Sequence, residues 1–130
     1  MTEPDFLTVE DVLLLHEEQL ANYGGGAGVR DPGGLDSAVA QAQATFGGEF
    51  VHAGLFDMAA AYAFHIAQNQ PFIDGNKRTG LAAALVFLEL NGGTVLDPKG
   101  SLHEAMIAFA ERRLEKSGFA KLLADLAASR

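Results

Sequence analysis

LFDMAAAYAFHIAQNQPFIDGNKRTGLAAALVFLELNGG, residues 55–93, decides the fold. Two alanine-rich apolar segments flank a short polar turn. From Leu55 to about Asn69 the chain is apolar on nearly every side, with Phe56, Tyr62, Phe64 and Ile66, as expected for a helix enclosed by others. The segment 76–91 reads the same way: Ala82, Ala83 and Ala84 lead into Leu85, Val86, Phe87 and Leu88, and Gly92 supplies the stop. These two helices form the predicted central pair.

Working outward, Thr8 followed by Asp11 three residues on is a helix start, and Val12, Leu13, Leu15, His16 and Leu20 recur at helical spacing, so a first helix is predicted over 8–23. Gly24, Gly25 and Gly26 end it. Asp31 and Pro32 fit an N-cap and first helical residue, with Leu35, Val39 and Ala42 predicting a second helix over 32–45. FGGEFVHAG, residues 46–54, reads as a loop or small hairpin. Ser101 with Glu104 predicts a reciprocal capping box, with Ala105, Met106, Phe109 and Ala110 as the apolar stripe behind it; Ser117 opens a last helix carrying Leu122, Leu123 and Leu126. Six helices result, period-two alternation is nowhere sustained, and the predicted fold class is all-α, one domain over residues 1–130.

Composition narrows the function. The 130 residues are 48% hydrophobic, enough for one buried core. No run approaches the roughly 18 apolar residues of a membrane span, and the N-terminus lacks the layout of a signal peptide, so a cytoplasmic location is expected. The absence of cysteine excludes disulfides, thiolate nucleophiles and the common structural zinc sites. A net charge of −8 argues against direct nucleic-acid binding, so any bound polyphosphate must be held by local positive charge.

That local charge lies in QPFIDGNKRTG, residues 70–80, the densest polar cluster, set between the two most apolar helices. Asp74, Asn76, Lys77 and Arg78 gain nothing for packing there, since buried charges must be paired or solvated. The physical reading is an anion site. Gly75 closes a tight loop, and the next helix starts at about Asn76 with its free amides and positive dipole end facing that loop. Arg78 offers a planar fork for two phosphate oxygens, Lys77 a compact charge, and Asn76 an amide able to orient the bound group. Asp74 is placed to hold magnesium, which takes one or two carboxylates and completes its shell with water and phosphate. The plain alternative is a capped helix start with surface charges. The turn is not a Walker A loop, because only Gly75 precedes the basic pair and Thr79 follows Arg78 rather than Lys77.

The turn resembles the Fic/Doc signature HxFx(D/E)(G/A)N(G/K)R, matching at Phe72, Asp74, Gly75, Asn76, Lys77 and Arg78 and departing at its first position, Gln70. FLTVEDVLLLHEEQL (6–20), GVRDPGGLDSA (28–38), AAAYAFHIA (59–67) and LAAALVFLELNGG (81–93) are similar to Doc-type toxins, and the similarity spans residues 5–126. The resemblance implies a compact six-helix bundle with 46–54 as a flap that positions the target. It also implies ATP as substrate, Mg²⁺ on Asp74, phosphates on Gly75, Asn76, Lys77 and Arg78, and Phe72 as the core anchor of the loop. Lys77 is the Doc variant of a position that is usually glycine in the AMP-transferring Fic proteins. It therefore implies a kinase-like toxin that transfers the terminal phosphate to a threonine of elongation factor Tu, blocks translation and is held in check by a cognate antitoxin.

Gln70 stands where that family has its catalytic histidine. An amide orients a hydroxyl but has no proton equilibrium near pH 7, so it is no general base. His65, five residues upstream, lies about 7.5 Å along the helix and roughly 140° around it, which argues against its taking over. It reads instead as an interior or groove histidine, and His16, His52 and His103 have no spacing that suggests a metal site. Two readings of Gln70 stay open: a toxin disabled by a His→Gln change, or a natural non-catalytic relative that binds nucleotide or a protein partner. AMP transfer is a third alternative for the active form.

Overall fold

The computed structural model describes residues 3–127. Within them the chain forms six helices and one small hairpin: α1 (Val9–Tyr23), α2 (Pro32–Gln41), β1 (Thr45–Phe46), β2 (Glu49–Phe50), α3 (Leu55–Asn69), α4 (Asn76–Leu90), α5 (Ser101–Ala110) and α6 (Lys116–Leu126). The all-α expectation holds.

Helix α3 is the axis of the bundle. It packs against α4, α2, α6 and α5, while α1 packs against α4 and α2. Its alanines, Ala59 to Ala61 and Ala63, are buried, and Tyr62 and Ile66 fill the space between layers. The small residues allow α3 and α4 to approach closely: a Cβ at Gly80 would lie 2.9 Å from the Ala63 carbonyl oxygen. Any side chain there would push the central pair apart.

The local signals explain most boundaries. Thr8 and Asp11 form the expected capping box, Thr8 Oγ1 accepting from the Asp11 amide at 3.1 Å and Asp11 Oδ2 accepting from the Thr8 amide at 2.8 Å. Asp31 caps α2 through Gly34 N at 2.9 Å. Helix α2 stops at Gln41 rather than 45, because the chain tightens through Gln43 and Ala44 and turns into the hairpin. In the hairpin Gly47 (φ +61) and Gly48 (φ +84) supply the positive φ that a two-residue primed turn requires at both central positions.

The start of α5 corrects the sequence reading. Ser101 is the first helical residue, not the cap, so it makes no capping box with Glu104. Asp97 reaches forward instead and accepts from the amides of Ser101 (2.8 Å) and Leu102 (2.9 Å), across a bend made by Gly100 at φ +69. Asp97→Ala is therefore expected to destabilise the fold by about 1 kcal/mol in urea unfolding, and Glu104→Ala to leave it unchanged. A larger loss at Glu104 would contradict this assignment.

Candidate functional site

The polar turn is held in place from three sides. Helix α3 ends in Gln70, which adopts the left-handed conformation (φ 46, ψ 56), and Pro71 blocks another helical turn. The Arg30 guanidinium donates to the Gln70 carbonyl and, at 3.3 Å, to that of Asn69. The segment after the glycine tract then runs antiparallel to the turn. Pro71 O accepts from the amides of Arg30 (2.7 Å) and Asp31 (3.0 Å), Val29 bridges Phe72, and Ile73 N donates to Gly28 O at 3.1 Å.

Inside the turn, Phe72 is 1% exposed. The Asn76 carboxamide clamps that residue's backbone, Oδ1 accepting from Phe72 N at 2.9 Å and Nδ2 donating to Phe72 O at 3.0 Å. The Asn76 side chain thus shapes the loop, and its own backbone amide is what it presents at the helix start. Gly75 is left-handed (φ 79, ψ 19) and leads straight into α4, whose N-terminus no side chain caps. The dipole end and first-turn amides of a 15-residue helix therefore face the turn.

Charge gathers at the same point. Asp74 Oδ1 accepts from Gly75 N at 2.9 Å and Oδ2 from Gly26 N at 3.3 Å, and the residue is exposed. Arg78 donates to Gly24 O at 3.2 Å and lies 5.6 Å from the centre of the Tyr23 ring. Among the described residues the ion pairs are Arg113–Glu111 and Lys121–Asp125, so neither Lys77 nor Arg78 is neutralised by a carboxylate. Two cations without a carboxylate partner beside an uncapped helix start have the chemistry to attract an anion.

These groups line a cavity of about 410 Å³ with Gln70 at its edge. Its other wall is less polar: Leu81 from α4 and Met106 and Ile107 from α5, with Gln68 and His103 beside them. Sequence reasoning missed that wall. The signal was available in His103, Met106, Ile107 and Ala110, spaced as one helical face, but the sequence does not show that this face meets the turn. The donor set fits magnesium shared with phosphate: Asp74 offers one accessible carboxylate, and no group of three acidic, histidine or cysteine residues forms a protein-only cage among the described residues.

His65 does not belong to this site. It faces α6, where its Nε2 lies 3.2 Å from Lys116 Nζ and its ring meets Phe64 edge-on. Burial, then the charge of Lys116 and then His52, lowers its pKa from 6.5 to about 4, and burial followed by Lys116 lowers that of His52. Both imidazoles resist protonation in the fold more than in the unfolded chain. The unfolded chain therefore binds more protons between pH 6.5 and about 4, and stability, full above 6.5, declines as pH falls through that window. His65→Gln is expected to flatten the acid decline of Tm; an equally steep decline in the variant would contradict the assignment.

A family model described as Fic/DOC family matches residues 6–88. The chain is 47% identical over 92 residues to "Toxin Doc" of Mycolicibacterium smegmatis, covering 71% of this chain and 67% of that protein. It is 36% identical over 91 residues to "Protein kinase doc" of Escherichia phage P1, covering 70% of this chain and 71% of that protein. Both the family match and the site lie on the helices and turn described above.

Proposed function

The chain belongs to the Fic/DOC family, in its Doc branch, and on that premise we propose that it is a Doc-type toxin whose site binds Mg²⁺ and ATP for phosphoryl transfer to a threonine hydroxyl of elongation factor Tu, with Gln70 silencing the transfer. A cognate antitoxin is its expected partner and the cytoplasm its place of action. The observation that carries the reading is the convergence of Lys77, Arg78, the uncapped start of α4 and the Asp74 carboxylate on one cavity. The names of the two relatives, a toxin and a protein kinase, support the same direction.

Each group has a part. The α4 amides and Lys77 bind phosphate oxygens, and Arg78 adds a forked donor once it leaves the Gly24 carbonyl. Asp74 would hold the metal, which when bound neutralises charge on the phosphate oxygens. In transfer, the threonine oxygen forms a bond to the terminal phosphorus, the bond to the ADP oxygen breaks, and the hydroxyl proton needs an acceptor. Gln70 orients a hydroxyl but takes up no proton, which leaves binding intact and chemistry slow.

A second reading rests on the same residue: with an amide at position 70, the chain serves as a natural non-catalytic module that binds nucleotide or a protein partner. The toxin reading and the nucleotide-binding form of the module both require the site to bind Mg²⁺ and ATP. In calorimetric titrations, Asp74→Ala is expected to abolish the magnesium dependence of ATP affinity, and Arg78→Ala to weaken ATP binding about tenfold, in line with loss of a charge-assisted donor pair. Unchanged affinity in both variants would remove the metal and phosphate assignments.

A further inference from the structure

Resting on the reading of Asp74 as the metal ligand, we infer that His16, on α1 and 58 residues away in sequence, is the positioning residue that sets the orientation of the Asp74 carboxylate. His16 is 4% exposed, and its Nε2 lies 2.8 Å from the Asp74 carbonyl oxygen. A carbonyl only accepts, so Nε2 carries the proton and donates. The ring cannot swing away, because it is stacked on Phe72 with centroids 3.8 Å apart and planes 6° apart, and Phe72 is itself fixed in the core.

The consequence runs through one peptide unit. The Asp74 carbonyl and the Gly75 amide belong to the same rigid trans plane, so they point in opposite directions. With the carbonyl pinned by His16, the Gly75 N–H is directed the other way, where it donates to Asp74 Oδ1 at 2.9 Å. His16 on one side of the plane thereby orients the carboxylate on the other. Gly75 holds the plane in this orientation through its left-handed backbone (φ +79), which glycine adopts without strain; a Cβ there would make only ordinary contacts, 3.7 Å from the His16 ring and 3.4 Å from the Arg78 guanidinium. Without the donor, the plane loses this restraint and the longer bond from Gly26 N to Asp74 Oδ2, at 3.3 Å, is left to aim the carboxylate. This is the role that outer-shell donors play around metal ligands.

The test separates the donor from the packing. His16→Phe keeps a flat ring against Phe72 and removes the donor, whereas His16→Gln restores a donor in place of Nε2. ATP affinity is measured by calorimetry with Mg²⁺ and with EDTA, and folding by thermal unfolding. His16→Phe is expected to weaken ATP binding about 10- to 100-fold in Mg²⁺ and to leave binding in EDTA unchanged, with His16→Gln recovering most of the loss. If the Phe variant does not fold, His16→Met, which fills the volume without a donor, carries the same expectation. A donor-less variant that keeps magnesium-dependent affinity while Asp74→Ala loses it overturns this inference alone. So does equal loss in Mg²⁺ and in EDTA, the signature of a packing role. A wild-type chain with no magnesium-dependent ATP binding overturns the reading beneath it as well.

Discussion

Gln70→His is expected to raise transfer of label from γ-labelled ATP to elongation factor Tu by about 10² to 10⁴, the usual contribution of a positioned general base. The backbone already suits the change. Position 70 is left-handed, a conformation in which histidine is enriched relative to most residues, and its carbonyl is held by Arg30 whatever the side chain. The substitution therefore adds a proton acceptor at the cavity edge without asking the turn to move. Label should come from the γ phosphate and not the α phosphate, because fixed cations such as Lys77 favour the transferred terminal group. Expression of the variant should arrest growth. A revertant with no transfer and no effect on growth would favour the non-catalytic module, and label from the α phosphate would assign AMP transfer.

Phe72→Ala should cost about 3–5 kcal/mol of stability, the range for emptying a buried aromatic site, and lower Tm by roughly 10–20 °C. The ring is more than filler. It stacks on His16, its backbone is clamped at both polar atoms by Asn76, and it bridges Val29, so the cavity left behind lies at the joint of three segments. Nucleotide binding should fall with it even at temperatures where the variant remains folded. Urea unfolding checks the figure; a loss below about 1 kcal/mol would show that the turn is anchored elsewhere.

Much of this was legible in the sequence because the deciding signals are local. The capping pair Thr8 and Asp11, the Asp31-Pro32 start, the glycine hairpin and the interrupted pair α3 and α4 each announce themselves within a few residues. So did the local form of 74–78, a left-handed Gly75 leading into a helix start that carries two cations, on which the proposal of phosphate binding rests. Failures arose where a partner is distant or geometry decides. Asp97 displaced the Ser101 and Glu104 box because Gly100 shifts the helix start by one residue. His16 read as one more residue on an apolar face, and only the packing of α1 beside the turn gives it the Asp74 carbonyl. Arg30 carried no signal, since nothing local indicates that it reaches the end of α3. For Asn76 the sequence did not show that the loop uses both ends of the side-chain amide for its own closure, which leaves the backbone amide for the proposed phosphate contact.

The most direct measurement is an amide-resolved NMR titration of the protein with ATP in the presence of Mg²⁺. Large, saturable shifts confined to the backbone amides of Gly75, Asn76, Lys77 and Arg78 and to neighbours across the cavity are expected, and they should shrink in EDTA. Saturation with those four amides unmoved would contradict the claim that this turn grips the triphosphate.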